Sequence, residues 1–405
     1  MLAKRCNKLR ERIVERIFSV SGAITTIAIV LIVVFLFREG FGLFGSSTIE
    51  NGYSLFVNAK NDISSLSPTD TKRIFDGEIT DWRDVGGKAG EIKVFRFDEI
   101  FNLYSEDAFG DNYALLPDKL AEVIDNNPTI IAFLPDKYAP KPSSVVKRLT
   151  DRRITAADFV LGTQWLPTAT PSPLYGMLPL ILGTLLVSLF AVILALPLGL
   201  GVAVYLSELS DNRIRRIMKP AVELLAGIPS VVYGFFGLAV LVPLVQRTFA
   251  LPVGETAFSA GIVLAIMALP TIISVAEDAL RSISPAMREA SLALGATKWQ
   301  TIYRVVIPCA KSGLLAAIVL GIGRAVGETM AVLMVSGNAA VMPHSLFESV
   351  RTIPATIAAE LGEAPSDGTH YQALFMLGCI LFIFTSIVSI AAEIITKKHH
   401  TSKEL

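Results

Sequence analysis

A run of 20 residues, Phe18 to Phe37, carries no charged side chain. As a helix rising ~1.5 Å per residue it covers the ~30 Å hydrocarbon core of a bilayer. A secretory signal is the rival reading, but its apolar stretch is only ~7–15 residues and ends at small residues for cleavage. Here Arg38, Glu39 and the aromatic-rich Gly40 to Phe44 follow, which favours an uncleaved anchor. After a long polar stretch, five more apolar runs are drawn: Met177–Leu206, Ala221–Val245, Phe258–Ala276, Ser312–Val335 and Ala373–Ile395. Buried helices of a large soluble core are the alternative, yet runs this long and this repeated favour lipid. Composition points the same way, since 18% of the 405 residues are charged against about 25% in an ordinary soluble chain.

Basic residues give the direction, because short cytoplasmic loops are rich in Lys and Arg. The amino-terminal tail holds Lys4, Arg5, Lys8, Arg10, Arg12 and Arg16, and the carboxy-terminal tail holds Lys397, Lys398 and Lys403. With six spans both tails fall inside. So do the loop with Arg213, Arg215, Arg216 and Lys219 and the loop with Arg281, Arg288, Lys298, Arg304 and Lys311, while Arg247 and Arg351 stand alone outside. Pro197 lets Met177–Leu206 be one tilted helix or a kinked pair, but splitting it reverses the later loops and breaks the agreement. The 36 basic and 36 acidic side chains cancel, so no overall basic field recommends nucleic acid. Cys6, Cys309 and Cys379 lie away from the outer segment and imply no disulfide framework.

Between the fourth and fifth spans, Pro285 supplies a fixed helix start, helix formers fill Ala286 to Leu294, and Gly295 permits a sharp turn before a second amphipathic stretch ending at Pro308. A plain surface linker accounts for this equally well on residue types alone. The segment resembles the EAA loop of binding-protein-dependent ABC transporter permeases. Glu289, Ala290, Gly295 and Pro308 match at full spacing, with Ser291, Val305 and Ile307 as conservative departures. The resemblance implies that residues 289–308 dock in a cleft of an ATPase subunit, with Glu289, Ala290, Gly295 and Pro308 as coupling residues. The chain has no G-x-x-x-x-G-K-[ST] loop, so ATP and Mg are expected on separate subunits and no cofactor on this one. No H-E-x-x-H or G-x-S-x-G occurs, and His344, His370, His399 and His400 make no plausible metal-ligand set. The expectation is a transporter subunit without catalytic or metal-binding residues of its own.

Within the fifth run stands Gly321-Ile-Gly323-Arg324-Ala-Val-Gly327-Glu328-Thr329. A central arginine costs roughly 2.5–3.5 kcal/mol on insertion scales and must face a bundle interior or a watery cavity. Glu328, four residues on, offers a local ion pair on the same helix face, and the glycines let a neighbouring helix approach. The pair is either a packing device or a transient anion perch, since a guanidinium offers planar paired donors to oxyanions. This stretch, Ala226-Gly-Ile-Pro-Ser-Val-Val-Tyr-Gly234, and Trp165-Leu-Pro beside Tyr175-Gly resemble the phosphate permease subunits, the PstC type more than PstA, from about Trp165 to the last span. The resemblance implies that Arg324 and Glu328 act in the substrate pathway. Gly227 and Pro229 further suggest a broken third helix.

Residues 46–172 carry 14 Lys plus Arg and 19 Asp plus Glu, a net-acidic segment that gives phosphate no long-range attraction. Asp76-Gly77 and Gly86-Gly87 turns, with apolar runs at Ile92 to Phe97 and Thr129 to Leu134, read as a small mixed α/β domain. Pro167, Pro171 and Pro173 read as a stiff linker. Ser67 to Gly87 is similar to a stretch of periplasmic phosphate-binding proteins, but Arg96 is followed by Phe97-Asp98-Glu99 where those proteins place phosphate donors. A degenerate lobe that docks a partner or steadies the assembly is therefore favoured over an independent phosphate site.

Together these readings predict an all-α polytopic membrane protein of six transmembrane helices, of the MetI-like type I ABC importer class, in the bacterial inner membrane with both termini cytoplasmic. Residues 1–45 form the tail and first span, 46–172 an extracytoplasmic insert, 173–396 the permease core and 397–405 the second tail. The implied function is ATP-driven phosphate import, with a PstA-like permease, two PstB-like ATPases, a PstS-like binding protein and lipid as partners, and no nucleic acid. Molybdate or sulfate as cargo, and a phosphate-status receptor that moves nothing, are the alternatives.

Overall fold

The computed structural model describes the backbone of residues 2–366 and 368–401, and side chains of 14–366, 368–391, 393 and 394. The terminal basic groups Lys4 to Arg12 and Lys397 to Lys403, with Cys6, His399 and His400, lie outside the described side chains. Among the described residues five helices are long and apolar enough to cross a bilayer: Val14–Gly45, Leu178–Leu209, Ser230–Phe249, Ala257–Arg281 and Thr369–Ala391. Lys298–Cys309 and Lys311–Val326 form a pair bent by 72° that passes the same test only when joined. Counting that pair as one span gives six.

The first span rests on the last. Phe35 meets Phe375 edge-on at 5.5 Å, and the Cys379 thiol donates to the Leu36 carbonyl at 3.3 Å. Spans two, four and five form the centre of the bundle, where Val187, Ala191, Ala195, Ala260, Leu264, Ile272 and Ala325 interdigitate. Small residues permit the closeness, as lipid supplies no hydrophobic drive between helices. A Cβ at Gly321 would sit 2.7 Å from Ile272 Cγ1, so a larger residue there would displace the Ile272 side chain where the fifth span meets the fourth. Among the described residues of this chain, Gly321 alone of the three glycines expected to serve the approach meets a neighbouring helix.

Pro197 lies within one helix, Leu178–Val204, extended by a π turn to Leu209. The kinked-pair alternative does not occur. The third span, expected from Ala221, begins instead at Ser230. Asn212–Ala226 is a separate helix carrying Arg213, Arg215, Arg216 and Lys219. It stops at Gly227, and Pro229 disfavours helical backbone at Ile228 and caps the next helix, Ser230–Phe236. The fifth span, expected as Ser312–Val335, ends at Val326 and resumes as Met330–Val335.

Between spans one and two lies an α/β insert. Its sheet has the order β2-β3-β1-β4, with β1 Tyr53–Asn58, β2 Lys93–Arg96, β3 Ile130–Pro135 and β4 Val146–Arg148. β2 and β3 run parallel, joined by the crossover helix Leu116–Asp125, while β1 is antiparallel to both β3 and β4. The alternation of strand side chains gives two apolar faces. Leu55, Val57, Ile131 and Phe133 join Ile74, Phe75 and Trp82, whereas Phe56, Ile130, Ala132 and Leu134 join Phe109, Leu120 and Ile124. A hairpin of β5 Trp165–Leu166 and β6 Leu174–Tyr175 closes the insert. Pro167, Pro171 and Pro173 thus occupy a hairpin loop and its edge instead of a spacer.

Candidate transport and coupling sites

Arg324 occupies the last turn of Lys311–Val326. The helix ends at Val326, with its C-cap Gly327 still donating to the Gly323 carbonyl at 3.1 Å, and a new helix begins at Met330 with Thr329 as its N-cap. Glu328 therefore sits in a break, not on the continuous helix face that its spacing suggests. The two side chains still meet, Nη2 to Oε2 at 3.6 Å, with Arg324 47% exposed and Glu328 7%. A half-exposed guanidinium tied loosely to a buried carboxylate has free donors to offer an anion.

The break at Gly227–Pro229 lies close to the one at Gly327–Thr329, since the helices that restart after them pack together. A Cβ at Gly234 would stand 3.0 Å from the Ala331 Cα. The Tyr233 hydroxyl reaches back across the first break to the Leu225 carbonyl at 2.9 Å. Two interrupted helices side by side free backbone groups that must line protein or water.

The elbow between spans four and five is helix Pro285–Ala293, a turn at Gly295 with φ +84°, and helix Lys298–Thr301 opened by a Thr297–Gln300 capping box. Glu289, Ala290, Gly295 and Pro308 are all exposed. Around them Leu294 is 89%, Tyr303 67% and Trp299 64% exposed, an apolar surface that nothing among the described residues covers.

Three charged clusters escaped sequence reasoning. Arg288, on the elbow helix, grips Glu208 at the end of span two with two hydrogen bonds, 2.8 and 3.1 Å. Glu277, 1% exposed, faces Arg215 at 2.7 Å, Lys219 at 3.4 Å and Arg281 at 3.8 Å. Burial pulls Lys219 down, but the hydrogen bond to Asp278 and the charge of Glu277 outweigh it and hold the ammonium above its ordinary value. At the insert end of the bundle Glu360 accepts from Trp165 Nε1 at 3.0 Å, contacts His370 Nε2 at 2.9 Å and pairs with Arg351. Burial pushes this carboxyl up, yet the His370 and Trp165 hydrogen bonds and the Arg351 charge prevail and leave it below the usual carboxylate range. The Trp165 and Tyr175 singled out in sequence are paired residues of the hairpin, with ring centroids 5.9 Å apart. Only the unusual placement of acids within or beside apolar helices signals these clusters in sequence.

In the insert, Arg96 is already engaged. Its guanidinium lies 5.3 Å over the Phe75 ring and donates to the Phe75 carbonyl at 3.4 Å, while Glu99 accepts from its backbone NH at 3.3 Å. A cavity of about 410 Å³ lies between Ser67–Thr69 and the 154–176 segment, lined by Asp158 and Gln164 but by no Lys or Arg.

The sequence model of the binding-protein-dependent transport system inner membrane component matches residues 195–400. A probable ABC transporter permease, YqgH of Bacillus subtilis (strain 168), is 39% identical over 232 residues, covering 57% of this chain and 75% of that protein. The phosphate transport system permease protein PstC of Haemophilus influenzae is 37% identical over 264 residues, 60% and 82% of the two chains. PstC 1 of Mycobacterium tuberculosis is 34% identical over 284 residues, 62% and 84%. A solved MetNI methionine ABC transporter chain, inward facing, aligns over 55% of this chain and 95% of that one at 21% identity, TM-score 0.44. With its family's match spanning half of its length, this chain belongs to the inner membrane components of binding-protein-dependent transport systems.

Proposed function

We propose that the chain is a transmembrane subunit of an ATP-driven importer of inorganic phosphate. The observation that carries this reading is the half-exposed Arg324 guanidinium beside two adjoining helix breaks. The cargo follows from the relatives named as phosphate permeases, which are 34–39% identical. In this reading Arg324 accepts the anion and Glu328 draws the guanidinium back, so that the site can let go as well as hold. Glu289, Ala290, Gly295 and Pro308 present the elbow to an ATPase that carries ATP and Mg, and its exposed Leu294, Trp299 and Tyr303 supply apolar docking surface.

A single chain offers one half of a pathway. The full assembly takes a PstA-like second permease, two PstB-like ATPases and a PstS-like phosphate-binding protein. Both termini and the elbow face the cytoplasm, and the insert faces outward, which follows the excess of Lys and Arg in the short loops. The insert acts as a docking or steadying lobe. Its Arg96 is spent on Phe75 and its cavity offers an anion no cation.

Vesicles containing the complete assembly test this. ATP-driven uptake of labelled phosphate should persist in excess sulfate and molybdate, and Arg324→Gln should abolish it while leaving the subunits assembled. Preference for molybdate would replace the cargo, and normal uptake by Arg324→Gln would refute the pathway role. Phosphate binding without uptake in the wild type would favour a receptor.

A further inference from the structure

One guanidinium at the elbow joins three elements. Arg288 immediately precedes the exposed Glu289 on helix Pro285–Ala293, but its own side chain turns inward. Its Nε and Nη2 hold both Glu208 oxygens at 3.1 and 2.8 Å. Nη2 also donates to the Leu280 carbonyl at 2.9 Å and Nη1 to the Ile283 carbonyl at 2.5 Å. Leu280 lies in the last turn of span four, where backbone carbonyls have no partner within the helix and favour a cation. Glu208 lies in the π turn that ends span two, is largely buried, and is further held by the Ser207 hydroxyl at 2.9 Å. Its charge has no other cation within 4 Å among the described residues.

We propose that Arg288 and Glu208 are positioning residues that pass a displacement of the elbow to spans two and four together. This rests on the transport reading above. Two features single the pair out. A bidentate Arg–carboxylate contact fixes orientation as well as distance, which a point-charge contact does not. Spans two and four then continue the connection as one packed unit to Ile272, which touches Gly321 one turn before Arg324. Glu289 is exposed and joins none of these contacts, so the docking face and the transmitting face of the elbow helix are distinct.

The test uses the full assembly in vesicles, measuring phosphate imported per ATP hydrolysed alongside the amount of ATPase bound. Glu208→Gln keeps the side chain's shape and one acceptor oxygen but removes the charge. It should lower the import-to-hydrolysis ratio at least tenfold while ATPase binding stays at the wild-type level. Arg288→Gln should do the same; if it fails to assemble, Glu208→Gln decides alone. A ratio within twofold of wild type would overturn the proposal. Loss of the ATPase from the Glu208→Gln assembly would also overturn it, by assigning the pair to docking. If the wild-type assembly neither hydrolyses ATP nor imports phosphate, the transport reading itself fails, a result distinct from both.

Discussion

Glu328→Gln separates an anion perch from a packing pair, because the two readings predict effects of different kind. Two unit charges 3.6 Å apart attract by about 4–5 kcal/mol at an effective dielectric of about 20. Arg324 is 47% exposed, and exposed pairs return only about 0–1 kcal/mol, so an intermediate tie of about 1–2 kcal/mol is expected. An arriving phosphate must compete with that tie and with the repulsion of the buried carboxylate. Removing the charge of Glu328 relieves both, and at about 1.4 kcal/mol per factor of ten the purified transmembrane assembly should bind labelled phosphate roughly 5- to 30-fold more tightly. Turnover in vesicles should fall at the same time, since the deeper well slows release. Weaker or unchanged phosphate binding by Glu328→Gln in a correctly assembled complex would refute the switching role and leave the pair as a device that fixes the helix break.

The Glu360 cluster predicts a pH effect with a definite sign. Its carboxyl is held below its ordinary 4.5 in the folded protein, so the folded state takes up a proton less readily than the unfolded one; the stabilisation is complete above that value and is lost as pH falls below it. The thermal midpoint of the detergent-purified protein should drop as acid is added through this range, and Glu360→Gln should flatten the dependence while costing about 1–3 kcal/mol from lost charged hydrogen bonds; an unchanged slope would remove the cluster's role. At the opposite end, Gly295→Val meets open space but forces a branched side chain into left-handed backbone at φ +84°, a strain of about 1–2 kcal/mol. Weaker retention of the ATPase subunit is expected, with Gly295→Asn closer to wild type. Equal retention by Gly295→Val would show that the turn's geometry is not needed for docking.

What sequence exposed and what it concealed divide along the range of the forces. Long uncharged runs declare themselves because lipid demands them of each helix separately, and the elbow is local too, written in Pro285, Gly295 and the Thr297 cap. Helix ends were harder. Apolar content alone carried the expected third span back to Ala221, over the end of a cationic helix, because hydropathy does not register that Gly227-Ile228-Pro229 ends one helix and begins another. The same blindness carried the fifth span through Gly327. There the spacing of Arg324 and Glu328 gave the right pair for an incomplete reason, as their contact survives across a break.

The clusters that sequence left unread are each completed by a partner far along the chain. Glu208 and Arg288 are 80 residues apart, Arg215 and Glu277 are 62 apart, and Trp165 and Glu360 are 195 apart. Glu208 and Glu277 stand near the ends of spans, and Arg215, Arg288, Trp165 and Glu360 lie outside the spans, where polar side chains are ordinary. What distinguishes them is burial, which only the packed bundle confers. A buried carboxylate without its cation is costly by about 3–5 kcal/mol, so Glu208 and Glu277 hold their cationic partners in place at the elbow end, as Glu360 does at the insert end. Arg324 differs from Arg215 and Arg288 in lying beside a helix break, with Met330–Val335 continuing beyond it, and in keeping almost half of its surface uncovered. Ion pairs at the ends satisfied and one at a helix break left loose is the distribution expected if the ends transmit motion and the break meets a charged cargo.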